Sequence, residues 1–374
     1  MGTNKKKNAK TLLISSNYAW TIFNFRMGLI RRLKKEGYKI VVVTQFDGYE
    51  AEIQKEVDEI KPLFISRKGI NPFLDIFTVL HLVIYLLKFR PDVLLSFTIK
   101  PVIYGSIAAK FTKVRSIAMI TGLGRAFIAE SWVTKVVKKL YRVALSSVSI
   151  VFFQNGDDRN LFIEQKLVEP KVCRLTPGSG LDIYQFPYRP LRQDDETIFI
   201  LIARMLWDKG VGEYVEAAKI IKAKYPNTKF QLLGALGVEN RAAISDEIMA
   251  AWIDEGSVEY LGETSDVRAY IEAATCVVLP SYREGTSRVL LEAASIGRPI
   301  IASDVPGCRE VVENRISGLL CDAKDYLDLA DKMEVMINLS FQERKMMGIK
   351  GRKKIEKEFN HKIVNDLYID AIEN

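Results

Sequence analysis

Histidine and cysteine are scarce in this chain. Two histidines, His81 and His361, and four cysteines, Cys173, Cys276, Cys308 and Cys321, stand among 374 residues. The thiols have neither a pairing pattern nor the close spacing of metal ligands, so a disulfide framework and a zinc site are not expected, and a reducing compartment is. Long apolar runs are missing too. The most apolar stretch, FLDIFTVLHLVIYLLKF at 73–89, contains Asp75 and His81. It falls short of the about 20 clean residues that cross a bilayer, and reads either as a buried helix or as one lying in a membrane interface. The opening MGTNKKKNAK is polar and basic without the apolar stretch of a signal peptide, and Asn4-Lys5-Lys6 behind Gly2 fits a myristoylation signal poorly. Low-complexity tracts and short-period repeats are absent.

What remains is the composition of a soluble folded protein, 48% hydrophobic and 27% charged, with enough chain for two domains of nearly equal size. The net charge of +8 points to acidic partners (phosphates, nucleic acid or an anionic membrane surface) or to a generic basic surface. Short apolar runs alternate with helical stretches: TLLISS at 11–16, KIVVVTQ, DVLLSF at 92–97, RSIAMIT at 115–121 and VSIVFFQ at 148–154. Continuous apolar strands between amphipathic helices predict an open parallel sheet covered on both faces. PYRPLRQDDET at 187–197 reads as a linker, after which TIFILIA, FQLLGA, VEYLG, TCVVLPS and PIIASD repeat the alternation. The expected organisation is an α/β chain of two Rossmann-like domains, 1–190 and 191–355, with a C-terminal helix at 356–374 packing back on the first. Two doubly wound units predict a ligand cleft at the C-terminal ends of their strands.

Within the second half, ARMLWDKGVGEYVEAA at 203–218 places Arg204 and Lys209 after a strand and Gly210 and Gly212 at the next helix start. Fixed cations beside free backbone N–H groups suit a diphosphate. PSYREGTSRVLLEAASIGRPI then puts Glu284 in a strand-end loop and Glu292 about two turns along the following helix. A carboxylate accepts two hydrogen bonds and so matches a pair of neighbouring sugar hydroxyls. Two such acids could hold two sugars, with the backbone of Gly285, Thr286 and Ser287 at the phosphates between them. By spacing alone, however, an ordinary amphipathic helix is favoured.

Taken together, VEYLGETSDVRAYIEAATCVVLPSYR, EGTSRVLLEAASIGRPIIASDVPGCREVV, ARMLWDKGV, FQLLGALG and PGSGLDIYQF resemble the donor-binding half of glycosyltransferase family 4. The resemblance runs from about residue 11 to the C-terminus and is densest over 176–318. It implies a GT-B fold, two facing Rossmann-like domains with the active site between them, and retaining transfer from a nucleotide sugar without an obligatory metal. Carried over by position, Glu284 would contact the transferred sugar and Glu292 the ribose hydroxyls. Arg204 and Lys209 would bind the diphosphate and stabilise the leaving group. Thr264 and Asp266 belong to the loop that would meet the base, mostly through backbone atoms. No Asp-x-Asp cluster stands in a strand-end loop, in keeping with leaving-group stabilisation by cations.

The first half, with SSNYAWTIFNFRMGLIRRL, GINPFLDIFTVLHLV, LLSFTIKPVIYGSIAAK and IAMITGLGRAF, resembles a subgroup that extends sugars on polyprenyl diphosphate. It looks most like α-1,3-N-acetylgalactosaminyltransferases acting on an undecaprenyl-diphosphate-linked amino sugar in protein N-glycan, O-antigen or capsule assembly. Asn24, Arg26, Gly122 and Gly124 would border the acceptor side. Many members carry a histidine beside the transferred sugar; here the matching region reads MITGLGRAF, and neither His81, a packed or interfacial helix residue, nor His361, a surface one, fits that place. The expected partners are therefore a UDP-sugar, a polyprenyl-diphosphate-linked saccharide and the anionic inner face of the cell membrane, met peripherally from the cytoplasm. WVTKVVKKLYRVALSSV at 132–148 is a candidate membrane-surface helix or a half-buried domain helix. No nucleic-acid module is recognisable. A nucleotide-sugar 2-epimerase and a non-catalytic nucleotide-sugar-binding subunit are the rival readings.

Overall fold

The computed structural model describes residues 9–66, 72–123, 132–193, 196–240 and 242–374. The uninterrupted apolar runs form parallel strands, because a strand covered by helices on both faces has no side to present to water. In the first unit β1 (Thr11–Tyr18), α1 (Ala19–Lys35), β2 (Lys39–Gln45), α2 (Glu50–Gln54), β3 (Glu59–Pro62) and α3 (Pro72–Phe89) come first. They are followed by β4 (Val93–Phe97), α4 (Ile99–Thr112), β5 (Arg115–Ile120), α5 (Trp132–Leu145), β6 (Ile150–Phe153), α6 (Gly156–Glu164) and β7 (Cys173–Leu175). The strand order is β3-β2-β1-β4-β5-β6-β7. Strand alternation sends Leu13, Val41 and Leu94 into one covering layer and Leu12, Val42 and Leu95 into the other.

The second unit repeats the plan. It contains β8 (Ile198–Ile202), α7 (Val211–Lys224), β9 (Lys229–Leu233), α8 (Asp246–Asp254), β10 (Glu259–Tyr260), α9 (Arg268–Ala273) and β11 (Cys276–Leu279). Then follow α10 (Arg288–Ile296), β12 (Ile300–Ser303), β13 (Gly318–Cys321), α11 (Tyr326–Asn338) and α12 (Phe341–Glu358). The order β10-β9-β8-β11-β12-β13 reverses between β8 and β11, as the first sheet reverses between β1 and β4. Phe199 and Leu201 enter one layer, Ile200 and Ile202 the other.

The compact units are residues 1–180 with 361–374, and residues 181–360. Both borders differ from those expected at 190/191 and 355/356, for a physical reason. Prolines and charges mark irregular backbone, but buried carbonyls need partners wherever they occur. The fully buried Arg298 donates to the carbonyls of Arg189 at 3.0 Å, Pro190 at 3.3 Å and Ile271 at 3.2 Å. Arg352 donates to those of Phe186 at 2.7 Å and Ser295 at 2.9 Å. Residues 181–190 are thereby fastened to the second unit.

The C-terminal helix, expected at 356–374, is α13 (His361–Glu373), while residues 356–358 complete α12, the last helix of the second unit; α12 and α13 are separate helices. The latter belongs to the first unit. Arg115 donates to its Ala371 and Ile372 carbonyls at 2.7 and 3.0 Å, and Tyr368 packs on Phe97 and Phe152.

Burial pushes the Arg298 guanidinium down to about 10, which leaves it charged at neutral pH. Arg298→Ala would strand the buried Ile271 carbonyl and release the part-buried carbonyls of Arg189 and Pro190, and is expected to cost about 3 kcal/mol in urea unfolding. A loss under about 1 kcal/mol would mean that other contacts hold 181–190 in place.

Candidate active site

Where strand order reverses, the loops leaving two neighbouring strands diverge to opposite faces and open a crevice between them. In the second unit those loops follow β8 and β11. The β8 loop runs through Arg204 and a short 3₁₀ turn (Trp207–Lys209) into α7, with Gly210 at φ +72°. A Cβ at Gly210 would strike the Pro280 carbonyl, so only glycine lets this loop lie against the end of β11. The Asp208 carbonyl joins the two loops, accepting from the Tyr282 N–H at 3.0 Å and the Ser281 hydroxyl at 3.2 Å. Behind them the Tyr282 hydroxyl donates to Glu213 at 2.6 Å; burial and that carboxylate push the phenol well up.

These constraints bring Lys209 Nζ to 2.5 Å from Glu284 Oε1, with the two side chains 20% and 15% exposed. A third loop, after β12, holds Glu284 from the other side. Its amide donates to the Pro306 carbonyl at 3.1 Å. Gly307, at φ +84°, packs so closely that an added Cβ would lie 2.6 Å from the Glu284 backbone and Cβ. Glu310 anchors this loop by accepting from the Gly307 N–H at 2.6 Å.

Arg204 is exposed on the β8 loop, and among the described residues it has no hydrogen bond or ion pair. Glu292 is buried on α10, accepting from Arg288 Nε at 2.8 Å one turn away. Burial pushes its carboxyl above the ordinary range, Arg288 pulls it back, and the charge of Asp266 adds to the upward push. Asp266 and the loop it shares with Thr264 are therefore electrostatic neighbours of Glu292. The Asp266 carboxylate takes both arms of Arg268 at 2.6 and 2.8 Å, which holds it low. Thr264 Oγ1 accepts from the Asp266 N–H at 3.1 Å and donates to its carbonyl at 3.2 Å. Among the described residues, no three His, Cys, Asp or Glu side chains gather as a metal would require.

Several expected roles change. The Ser287 N–H donates to the Gly307 carbonyl at 2.9 Å and is already paired, so it is not one of the amides open to a phosphate. Arg26, expected on the acceptor side, is 2% exposed with its guanidinium 4.1 Å above the Phe97 ring; it is a packing residue. His361 is half-buried against Gly28 and Gly180 at the start of α13, not on the surface. His81 stacks on Tyr85 in α3. Asn24 donates to the Trp20 carbonyl within α1 at 3.0 Å, and Gly122 follows β5 at φ +124°. Gly124 lies outside the described residues. Sequence reasoning missed Arg288, Gly307 and Glu310. The i,i+4 pairing of Arg288 with Glu292 was readable, whereas the approach of Gly307 to Glu284 needed the fold.

Two family models match the chain: glycosyl transferase 4-like over residues 11–155 and glycosyl transferases group 1 over 186–354. The N,N'-diacetylbacillosaminyl-diphospho-undecaprenol alpha-1,3-N-acetylgalactosaminyltransferase of Campylobacter jejuni is 29% identical over 85% of this chain and 86% of its own. The UDP-Gal:alpha-D-GlcNAc-diphosphoundecaprenol alpha-1,3-galactosyltransferase of Escherichia coli is 23% identical, covering 85% of this chain and 86% of its own. Among solved structures, HepE of Anabaena in complex with UDP and glucose aligns with a TM-score of 0.79 over 97% of this chain and 99% of its own, at 17% identity. A glycosyltransferase from Rickettsia africae matches equally well, with a TM-score of 0.79 at 17% identity over 98% of each chain. The fold is GT-B.

The raised carboxyl of Glu292 gives a pH signature. As pH rises past 4.5, the ordinary glutamate value, the unfolded chain ionises this group before the folded chain does, so stability is lost until the folded carboxyl also ionises. Glu292→Gln should therefore gain stability relative to the parent as pH rises through that window, with the difference closing in acid. Urea unfolding of both chains from acid to neutral pH checks this. A constant offset would show that Arg288 fully compensates the burial.

Proposed function

Because the chain belongs to the group 1 glycosyltransferases, we propose that it moves N-acetylgalactosamine from UDP-GalNAc, in α-1,3 linkage and with retention, to an undecaprenyl-diphosphate-linked amino sugar in bacterial glycan assembly. It is a hexosyltransferase that uses UDP-sugars. The observation that carries the mechanism is the Lys209–Glu284 pair at the strand reversal, with Arg204 on the same β8 loop and unpaired among the described residues. In the structure the Glu284 carboxylate neutralises the lysine. Bound, the donor offers its diphosphate to Lys209 and Arg204 and its hexose hydroxyls to Glu284, so each partner of the pair exchanges the other for substrate.

Breaking the bond between the sugar's anomeric carbon and the diphosphate leaves growing negative charge on UDP. Cations already fixed beside it favour the transition state over the ground state, and this electrostatic contribution does not call on a metal. Glu292, steadied by Arg288, holds the ribose hydroxyls, and the loop of Thr264 and Asp266 meets the base through its backbone. The departing phosphate takes the proton of the acceptor hydroxyl as the new glycosidic bond forms on the same face. The relatives from C. jejuni and E. coli act, by name, on undecaprenyl-diphosphate-linked sugars, which supports an acceptor of that class. With a lipid-linked acceptor, the enzyme works peripherally on the cytoplasmic face of an anionic membrane.

The two roles separate kinetically. Lys209→Ala should lower kcat by about 10²- to 10³-fold, whereas Glu292→Ala should chiefly raise the KM for donor. Unchanged kcat in both variants, with only donor affinity lost, would remove Lys209 from the transition state.

Radiolabelled UDP-GalNAc and UDP-GlcNAc, offered in parallel with a short-chain polyprenyl-diphosphate amino sugar, test the reaction itself. GalNAc label in the lipid product is expected. Label from UDP-GlcNAc alone would reassign the sugar. Isomerised or merely bound donor without transfer would replace the proposal by the epimerase or the binding subunit.

A further inference from the structure

Six large apolar side chains of α3 point outward: Phe73, Ile76, Phe77, Leu80, Ile84 and Leu87, each 52–77% exposed. Their spacing confines them to one face of the helix. The opposite face is fastened to the unit. Leu82 and Leu86 are buried in the core, the Thr78 hydroxyl donates to the Phe64 carbonyl at 2.9 Å, and the Tyr85 hydroxyl donates to that of Pro62 at 2.9 Å. Among the described residues no helix is long and apolar enough to cross a membrane, and α3 is tied down along its inner side. Its outer stripe is an unpartnered face of the folded unit. The exposed Phe111 of α4 and Trp132 of α5 add apolar surface on the neighbouring helices.

Charge identifies what covers it. Helices α3, α4 and α5 lie side by side on one face of the sheet, α3 against α4 and α4 against α5. Across all three the sequence holds a single acid, Asp75. It is buried, 3.0 Å from Lys100 Nζ, and offers no negative charge to solvent. Lys88, Lys110, Lys135, Lys139 and Arg142, by contrast, are exposed. An apolar stripe flanked only by cations complements an anionic lipid surface: side chains enter the acyl boundary while lysines meet headgroup phosphates. A second copy of the chain would bring the same cations face to face and be repelled.

We infer that the outer face of α3 is the membrane-docking surface, with α5 supplying chiefly charge and Trp132 at its start adding apolar surface. This rests on the proposed lipid-linked acceptor and specifies how the enzyme reaches it. Helix α5 buries its own apolar residues Val137, Tyr141 and Leu145 inward and presents Lys135, Lys139 and Arg142 outward, so it is the half-buried helix of the two alternatives for 132–148.

The full chain should co-sediment with vesicles containing phosphatidylglycerol and far less with phosphatidylcholine alone. The double variant Phe77→Glu/Ile84→Glu should weaken that partition by at least about tenfold. Lys135→Glu/Lys139→Glu should weaken only the anionic component. In case the double variant folds poorly, Ile84→Trp provides a second readout: its added fluorescence should shift to the blue and be quenched by brominated acyl chains. Vesicle binding that is equal in the parent and the double variant, or fluorescence at residue 84 untouched by brominated lipid, overturns the inference. So does self-association through α3 without vesicle binding. Transfer to the short-chain acceptor in detergent-free buffer is read in parallel and should survive in the double variant. If the parent fails that reaction yet still binds vesicles through α3, the catalytic proposal is lost and the docking surface stands.

Discussion

A lysine and a glutamate held 2.5 Å apart in a half-covered crevice constrain the architecture of the second unit. Burying part of each charge costs solvation that only a close partner offsets, so both side chains need rigid support. The support comes from three loops at the strand reversal. Gly210 permits the first to press on the second, the Asp208 carbonyl joins them, and Gly307 lets the third close on Glu284 from the other side. Enlarging either glycine would move a charged atom away from its partner. The pair is thus constrained by the fold yet still reachable by solvent.

Glu292 illustrates the same economy on a helix. Its burial disfavours the carboxylate, and Arg288, one turn earlier on α10, offsets only part of that cost. Asp266, nearby, is committed to Arg268 through both carboxylate oxygens. One pair is mostly buried and joined at Arg288 Nε, the other exposed and bidentate, a distinction made by burial and geometry rather than by residue type.

Much of this was readable from the chain. The runs KIVVVTQ and TIFILIA could only be strands covered on both sides, and the positions of Arg204, Lys209 and Glu284 after strands placed them at one end of a sheet. Other residues misled. Arg26 sits in a motif yet is buried over Phe97, because a guanidinium can stack on a ring as well as face a ligand. The amide of Ser287 is consumed by a carbonyl twenty residues further along the chain. PYRPLRQDDET has the composition of a linker, but buried Arg298 turns its first residues into part of the second unit.

By itself the sequence determined the α/β class, the two parallel sheets and the identity of the chemical groups that leave the strands at the candidate site. Those follow from local periodicity and from the residues that leave each strand, which are properties of short segments. Only the tertiary structure decided which charges are paired, which amides are spent, where one unit ends and the next begins, and which side of α3 is left uncovered. These outcomes depend on contacts between residues far apart in the chain, and burial, the quantity that sets their energies, exists only once the layers have packed.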